Sequence, residues 1–316
     1  MNARHPAAIE YVLLGVLALL WGSAYLFVKV ALSEIPPLSL VMIRVVVAAL
    51  FLAVIMQIRG ERLPRDPHVW RMLFTQSWFN AIGAWILVAY GQQRVDAGLA
   101  SVLNSTSPIF VVLITVLVLR TAPPRPLQLA GVAVGLCGVV LIVGPDALLG
   151  LGDQVAGQLA CLGGAALYAC SAIYGRRFVM ISPAATALGT LICGSAVLVP
   201  LAFLAEAPWT LRPSATALGA ALMLAIGSTG IALLIYFRLV RSLGSMGVAS
   251  QAYLRAGLGV LLGVVVLGES VDARVGIGLA AAVLGVILIN WRGGGASGPG
   301  EPGLAAPASD APSRKD

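Results

Sequence analysis

The chain has 316 residues, 59% of them hydrophobic and only 10% charged, with a net charge of +7. A soluble domain carries about 25% charged residues. The composition therefore excludes a soluble enzyme or binding module and indicates a polytopic membrane protein with little mass outside the bilayer. In such a protein the positive excess reports sidedness, and no nucleic acid partner is expected.

A bilayer core of about 30 Å is crossed by about 20 apolar residues. Ten such spans follow one another: Ile9–Leu32, Leu38–Ile58, Met72–Tyr90, Ala97–Leu119, Leu127–Val143, Val155–Tyr174, Ala184–Ala205, Ala217–Phe237, Met246–Leu267 and Val275–Trp291. Breakers separate them: Ile35-Pro36-Pro37, Pro64 to Pro67, Ala122-Pro123-Pro124, Gly144-Pro145-Asp146 and Pro208 to Pro213. The first span is too long, and too directly followed by a second, for a cleaved signal peptide. The four Cys (137, 161, 170, 193) lie in spans without metal or redox spacing, and His5 and His68 lie outside. No metal or cofactor is expected.

With the N-terminus inside, fourteen of the 20 Lys and Arg fall on inner segments: Arg4, Arg59, Arg62, Arg65, Arg71, Arg120, Arg125, Arg176, Arg177, Arg238, Arg241, Arg292, Arg314 and Lys315. Arg94, Arg212 and Arg274 fall outside, and Lys29, Arg44 and Arg255 within spans. This asymmetry obeys the positive-inside rule and places both termini in the cytoplasm.

The chain also aligns with itself. Gly98-Leu99-Ala100-Ser101 returns as Gly247-Val248-Ala249-Ser250, and the register continues to Arg120 against Glu269. After a two-residue slip Gly131 meets Gly278 and Gly138 meets Gly285. Two copies of five spans are expected, over 1–146 and 147–292. A disordered cytoplasmic tail over 293–316 follows, rich in Gly, Pro, Ala and Ser. Five is odd, so the second copy enters the membrane in the opposite sense. The fold class is all-α integral membrane, ten helices as two inverted five-helix repeats, with the binding site at the repeat interface.

Trp21-Gly22-Ser23, Pro36-Pro37 and Arg44 resemble the opening of EamA-type proteins of the drug/metabolite transporter superfamily. Thr106-Ser107-Pro108 resembles that family's fourth helix, and Val266-Leu267-Gly268-Glu269 its ninth-helix ending. The resemblance runs from about residue 9 to 292. Two positions depart from it. Arg120 stands where the family usually ends helix 4 with Glu, and Gly257 where a Pro is usual in helix 9, two residues after Arg255. The resemblance implies export of small metabolites such as amino acids across a bacterial inner membrane.

Arg255 lies within about 2 Å of the midplane of its span at 1.5 Å per residue. An Arg there costs roughly 2.5–3.5 kcal/mol on insertion scales and must face a wet cavity. It is read as the counter-charge for an anionic or carboxylate-bearing substrate, the alternative being a structural Arg bonded to helix-end carbonyls. Gln251 and Tyr253 flank it on the ninth span. Trp21 and Tyr25 on the first span, Gln76 and Asn80 on the third, Ser101 and Asn104 on the fourth, and Tyr168 and Ser171 on the sixth complete a candidate substrate site. Pro108 and Gly257 are candidate flexing points. Lys29 and Arg44, nearer the outer end, are candidates for an outer vestibule; the alternatives are that Lys29 snorkels to the surface and that Arg44, which matches the family's opening, has a shared structural role. No carboxylate lies mid-span to relay protons, and no Ser/His, Ser/Lys or HExxH pattern supports an intramembrane enzyme. The expected activity is secondary transport of a small molecule by alternating access. Organic anions or drugs as cargo, a non-transporting scaffold or sensor, and a homodimer remain open.

Overall fold

A computed structural model describes residues 8–120, 123, 125–143, 153–178, 180–236, 238, 239, 242, 251–270 and 273–290, without the side chains of 143, 153, 251–253, 275 and 290. The repeat motif at 247–250, the tail over 293–316, the terminal arginines and lysine, and the side chains of Gln251 and Tyr253 therefore lie outside the described residues.

Ten helices account for the described chain: α1 (Ala8–Ala31), α2 (Pro37–Ile58), α3 (Pro67–Gln92), α4 (Ala97–Val118), α5 (Pro126–Val143), α6 (Asp153–Gly175), α7 (Pro183–Glu206), α8 (Ala215–Tyr236), α9 (Gln251–Leu267) and α10 (Ala273–Asn290). Seven are long and apolar enough to cross a membrane; α5, α9 and α10 are shorter apolar helices over the described residues. The start expected for the ninth span, Met246 to Ser250, lies outside them.

Helix starts follow local chemistry. Proline stands at the first turn of α2, α3 and α7, where its missing N–H costs nothing. Asp66, Ser182 and Ser214 cap α3, α7 and α8 by accepting from His68, Ala185 and Ala217 amides at 2.8, 3.2 and 3.3 Å. The cap at Asp66 also explains why α3 begins five residues before the apolar span: His68, Trp70 and Arg71 are helical but polar.

The helix contacts have the symmetry of an inverted repeat. α2 packs on α7, α4 on α9 and α5 on α10. The pairing of α1 with α9 returns as α6 with α4, α3 with α6 as α8 with α1, and α2 with α8 as α7 with α3. Between apolar helices in lipid the driving force is close packing rather than escape from water, so small residues decide the contacts. At the α5–α10 crossing a methyl group on Gly131 would lie 2.6 Å from the Gly285 carbonyl, and one on Gly138 2.6 Å from that of Gly278. The two backbones touch directly.

Local departures from the α-helix occur in α3, α4 and α8. In α3 the Gly83 amide bonds back five residues to Trp78, and in α8 the Ala232 amide bonds back five to Gly227. These π turns occupy corresponding places in the two copies. In α4 the helix stops at Asn104 and restarts at Ser107, because Pro108 has no N–H and its ring excludes a helical carbonyl at Asn104.

Candidate functional site

The near face of the bundle is the end at which α1 begins, and the far face the end at which α1 stops. Among the described residues a polar cluster lies between the copies, where α1 to α4 meet α6, α8 and α9. Arg44 sits on the eighth position of α2, about 10 Å in from its start at 1.5 Å per residue. Its guanidinium carbon lies 3.8 Å from the centre of the Trp85 ring on α3. Its Nε donates to Thr229 Oγ1 on α8 at 3.0 Å. The Thr229 hydroxyl in turn donates to the Leu224 carbonyl inside the π turn at 2.9 Å. The guanidinium plane is thus held by a ring on one side and a hydroxyl at its edge.

Tyr168 on α6 packs against both the buried cluster that holds Trp85 and the one that holds Tyr25. Arg255 enters from α9. Gly22 of α1 makes that approach close: a methyl group there would lie 3.0 Å from Leu258 Cβ and 3.3 Å from the Arg255 carbonyl. The Ser101 hydroxyl points at the same carbonyl from α4, at 3.5 Å. Arg255 Nε is buried without a hydrogen-bond partner among the described residues.

Buried amides line the rest. Asn104 donates through Nδ2 to the Tyr25 hydroxyl, while its Oδ1 has no donor among the described residues. Gln76 Nε2 donates to Ser171 Oγ at 2.8 Å, and its Oε1 is likewise unmatched, as is Asn80 Oδ1. Buried amide oxygens are costly to leave without a donor. Gln76 and Asn80 on α3 and Asn104 on α4 each keep a buried amide oxygen that could accept a hydrogen bond.

Of the residues singled out from sequence, Tyr25, Asn104 and Tyr168 come together, the Arg255 backbone lies beside Gly22 and Ser101, and Gln76 pairs with Ser171 between α3 and α6. Ser101 packs on the α9 backbone, buried completely. Trp21 turns away to Tyr236 of α8, ring centres 5.5 Å apart. Lys29 spends its ammonium on the end of α3, donating to the Gln92 and Val95 carbonyls at 3.0 and 2.7 Å. Arg44 is placed over Trp85, away from Lys29's position at the helix end. Pro108 lies at the α4 restart; around Gly257 there is open space. Trp85 and Thr229 join the site without having been chosen from sequence. Trp85 carried a signal, an aromatic spaced one heptad from Trp78 on a polar helix; Thr229 carried none.

A separate pocket of about 250 Å³ opens toward the near face, lined by Leu13, Arg59, Glu61, Ala184, Leu234, Ile235 and Arg238. No group of three or more His, Cys, Asp or Glu side chains gathers for a metal among the described residues.

Ten apolar helices in two copies, enclosing a polar, cationic cluster between them, define a multi-pass membrane transporter. The model of the EamA-like transporter family matches the chain twice, over residues 8–144 and 155–291, and the chain belongs to that family. It is a secondary transporter moving small molecules across a membrane, and not an enzyme. It is 27% identical over 275 residues to the inner membrane transporter YedA of Escherichia coli (strain K12), covering 86% of this chain and 88% of YedA. It is 24% identical over 280 residues to the transporter YoaV of Bacillus subtilis (strain 168), covering 88% and 96%, and 26% identical over 270 residues to the protein PecM of Dickeya dadantii, covering 85% and 88%. A solved crystal structure shares the fold, with a TM-score of 0.62 at 21% identity over 89% of this chain and 97% of that one.

Proposed function

We propose that the chain exports small carboxylate-bearing metabolites, amino acids among them, by exposing the cluster around Arg255 alternately to the two sides as the copies, 1–146 and 147–292, rock against each other. The observation that carries this is Arg255, on a helix of the second copy, whose Nε is buried with no hydrogen-bond partner among the described residues. A cation in that setting costs free energy unless something anionic answers it. The unmatched oxygens of Gln76, Asn80 and Asn104 would accept from an ammonium or hydroxyl group, and Tyr25, Trp85 and Tyr168 supply apolar faces. The positive-inside distribution and the likeness to YedA support an inner membrane location with both termini cytoplasmic.

The test is solute counterflow in proteoliposomes. Arg255→Ala is expected to abolish transport of anionic and zwitterionic solutes while the protein still folds and inserts. Unchanged flux would remove the role given to Arg255. A scaffold or sensor is separated from a transporter by ligand competition in thermal unfolding: competing solutes should stabilise a transporter, each displacing the other.

A further inference from the structure

The pocket at the near face joins charge to apolar surface in a fixed order along the helices. Its charged lining stands at helix ends. Arg59 directly follows the last residue of α2, Glu61 lies two residues further on, and Arg238 lies two residues past the end of α8. Its apolar lining lies deeper. Leu13 is the sixth residue of α1, about 8 Å from the start at 1.5 Å per residue. Leu234 and Ile235 belong to the last turn of α8. The ends of membrane spans stand at the level of lipid headgroups, and the turns beneath them at the level of the acyl chains.

The apolar wall continues outward. Ile9, four residues before Leu13, is exposed, and so is Ile231, four before Ile235. Leu50, Val54 and Ile58 make an exposed row along α2 that runs up to Arg59. Residues four apart share a helix face, and large apolar faces on membrane helices are what lipid tails cover.

The charges at the mouth differ in their commitments. Arg238 gives Nη2 to Glu10 at 3.1 Å, and Glu61 Oε2 accepts from the Ser182 hydroxyl at 3.3 Å. The Arg59 side chain and Glu61 Oε1 have no partner among the described residues. Glu10 thus balances Arg238, while Glu61 balances Arg59 in charge without bonding to it. A mouth with a cation and a carboxylate both open complements a zwitterion: phosphate goes to guanidinium and ammonium to carboxylate. A purely anionic head would set its charge against Glu61.

We propose that this pocket seats the headgroup of a membrane phospholipid that carries phosphoethanolamine. Arg59, with the remaining N–H groups of Arg238, takes the phosphate. Glu61 takes the ammonium, and the chains run out along the exposed faces of α1, α2 and α8. At about 250 Å³ the space admits a headgroup and not a whole lipid. Arg59 and Glu61 belong to the first copy, and Ala184 and Arg238 to the second, so the headgroup bridges the two at the near face. The lipid site is separate from the cluster around Arg255 and does not depend on which solute is moved.

The test uses the purified full-length protein, stripped of lipid in detergent. Thermal unfolding and native mass spectrometry are read against phosphatidylethanolamine, phosphatidylcholine and phosphatidylglycerol of identical chains. Phosphatidylethanolamine should bind about tenfold more tightly than either, because choline has no N–H to give Glu61 and glycerol has no positive charge. Glu61→Gln should erase the preference over phosphatidylcholine while lipid still binds. Arg59→Gln should weaken all three. Ala184→Leu narrows the pocket without touching a charge; it should also weaken phosphatidylethanolamine, and it serves if a charge variant fails to fold. Equal binding of the three lipids, or tighter binding of phosphatidylglycerol, overturns the proposal. So does a preference that survives the variants unchanged, which would place the lipid elsewhere. Free O-phosphoethanolamine displacing the lipid at comparable concentration would mark a site for a soluble solute, and overturns it likewise.

Discussion

The two faces of the molecule are fastened differently. At the far face, charged side chains sit directly on helix ends across the interface between the copies. Glu206 of α7 covers the first amides of α2, and Glu269 at the end of α9 covers those of α4. Glu34 takes both the amide and the hydroxyl of Ser214, at 2.6 and 2.7 Å, where α8 begins. At the near face, among the described residues, the fastenings are side chain to side chain. Arg238 meets Glu10 at 3.1 Å, and the Ser182 hydroxyl meets Glu61 at 3.3 Å. A carboxylate on free helix amides gains both charge-assisted hydrogen bonds and the helix dipole. An ion pair whose arginine stays half exposed, as Arg238 does beside the buried Glu10, gains less. The difference teaches that one repeated fold can be latched more firmly at one end than at the other.

The repeat itself shows how the imbalance arises. Glu269 and Arg120 are counterparts, and the change of sign removes from the first copy the residue that does the capping in the second. The capping geometry depends on Gly268, whose φ of 67° lets the chain reverse so that the Glu269 amide reaches the Gly263 carbonyl at 3.1 Å. Arg120 has a similar backbone turn, with φ 51°, but carries the charge that a helix start repels.

Four substitutions and one titration would break or sharpen this contrast. Glu269→Gln should lower the stability of the protein in detergent by about 2 kcal/mol, and hydrogen exchange at residues 97 and 98 should rise with it. Ala207, at the end of α7, is held at φ 45°. Ala207→Gly should therefore raise stability by about 1 kcal/mol, read as an increased unfolding temperature. Glu61→Gln at the near face should cost no more than about 0.5 kcal/mol; a loss equal to that of Glu269→Gln would abolish the asymmetry. The smallest effect concerns Glu34. Hydrogen bonds from the Ser214 hydroxyl and amide hold its carboxyl below the usual carboxylate value. Its contribution is present above that usual value and is lost as pH falls through the lowered folded one. Exchange at the Ser214 amide should rise over that acidic window, and Ser214→Ala should raise exchange there already at neutral pH.

Much of the fold was legible because membranes make sequence literal. Apolar runs, proline breakers and the placement of Arg and Lys follow from the solvent alone, and the internal match of the copies implied their opposed senses. Helix ends were less legible, as at Pro67, where a helix continues past the bilayer on polar residues. The site was legible by residue type more than by partner. Arg255 and Tyr168 stand out as polar groups in apolar helices. That Arg44 stacks on Trp85, 41 positions along the chain, depends on how α2 lies on α3. The π turn that brings Thr229 to Arg44 leaves no pattern, since a bond to the fifth preceding residue changes no hydropathy. Trp21 and Tyr25 share a helical face in sequence, yet their neighbours differ: α8 stands beside one and α4 beside the other.

The direct contact of α5 with α10 has a mechanical consequence. Side chains between most helices act as compressible padding, letting one helix slip over another by changing rotamers. At Gly131, Gly138, Gly278 and Gly285 there is no padding, and the last helix of each copy is joined to its counterpart as two planks are nailed flat. The pair forms a single beam belonging to both copies. Such a beam leaves little room for shear within it, so when the halves swing the displacement grows with distance from it, as in a door whose hinge lies along one edge.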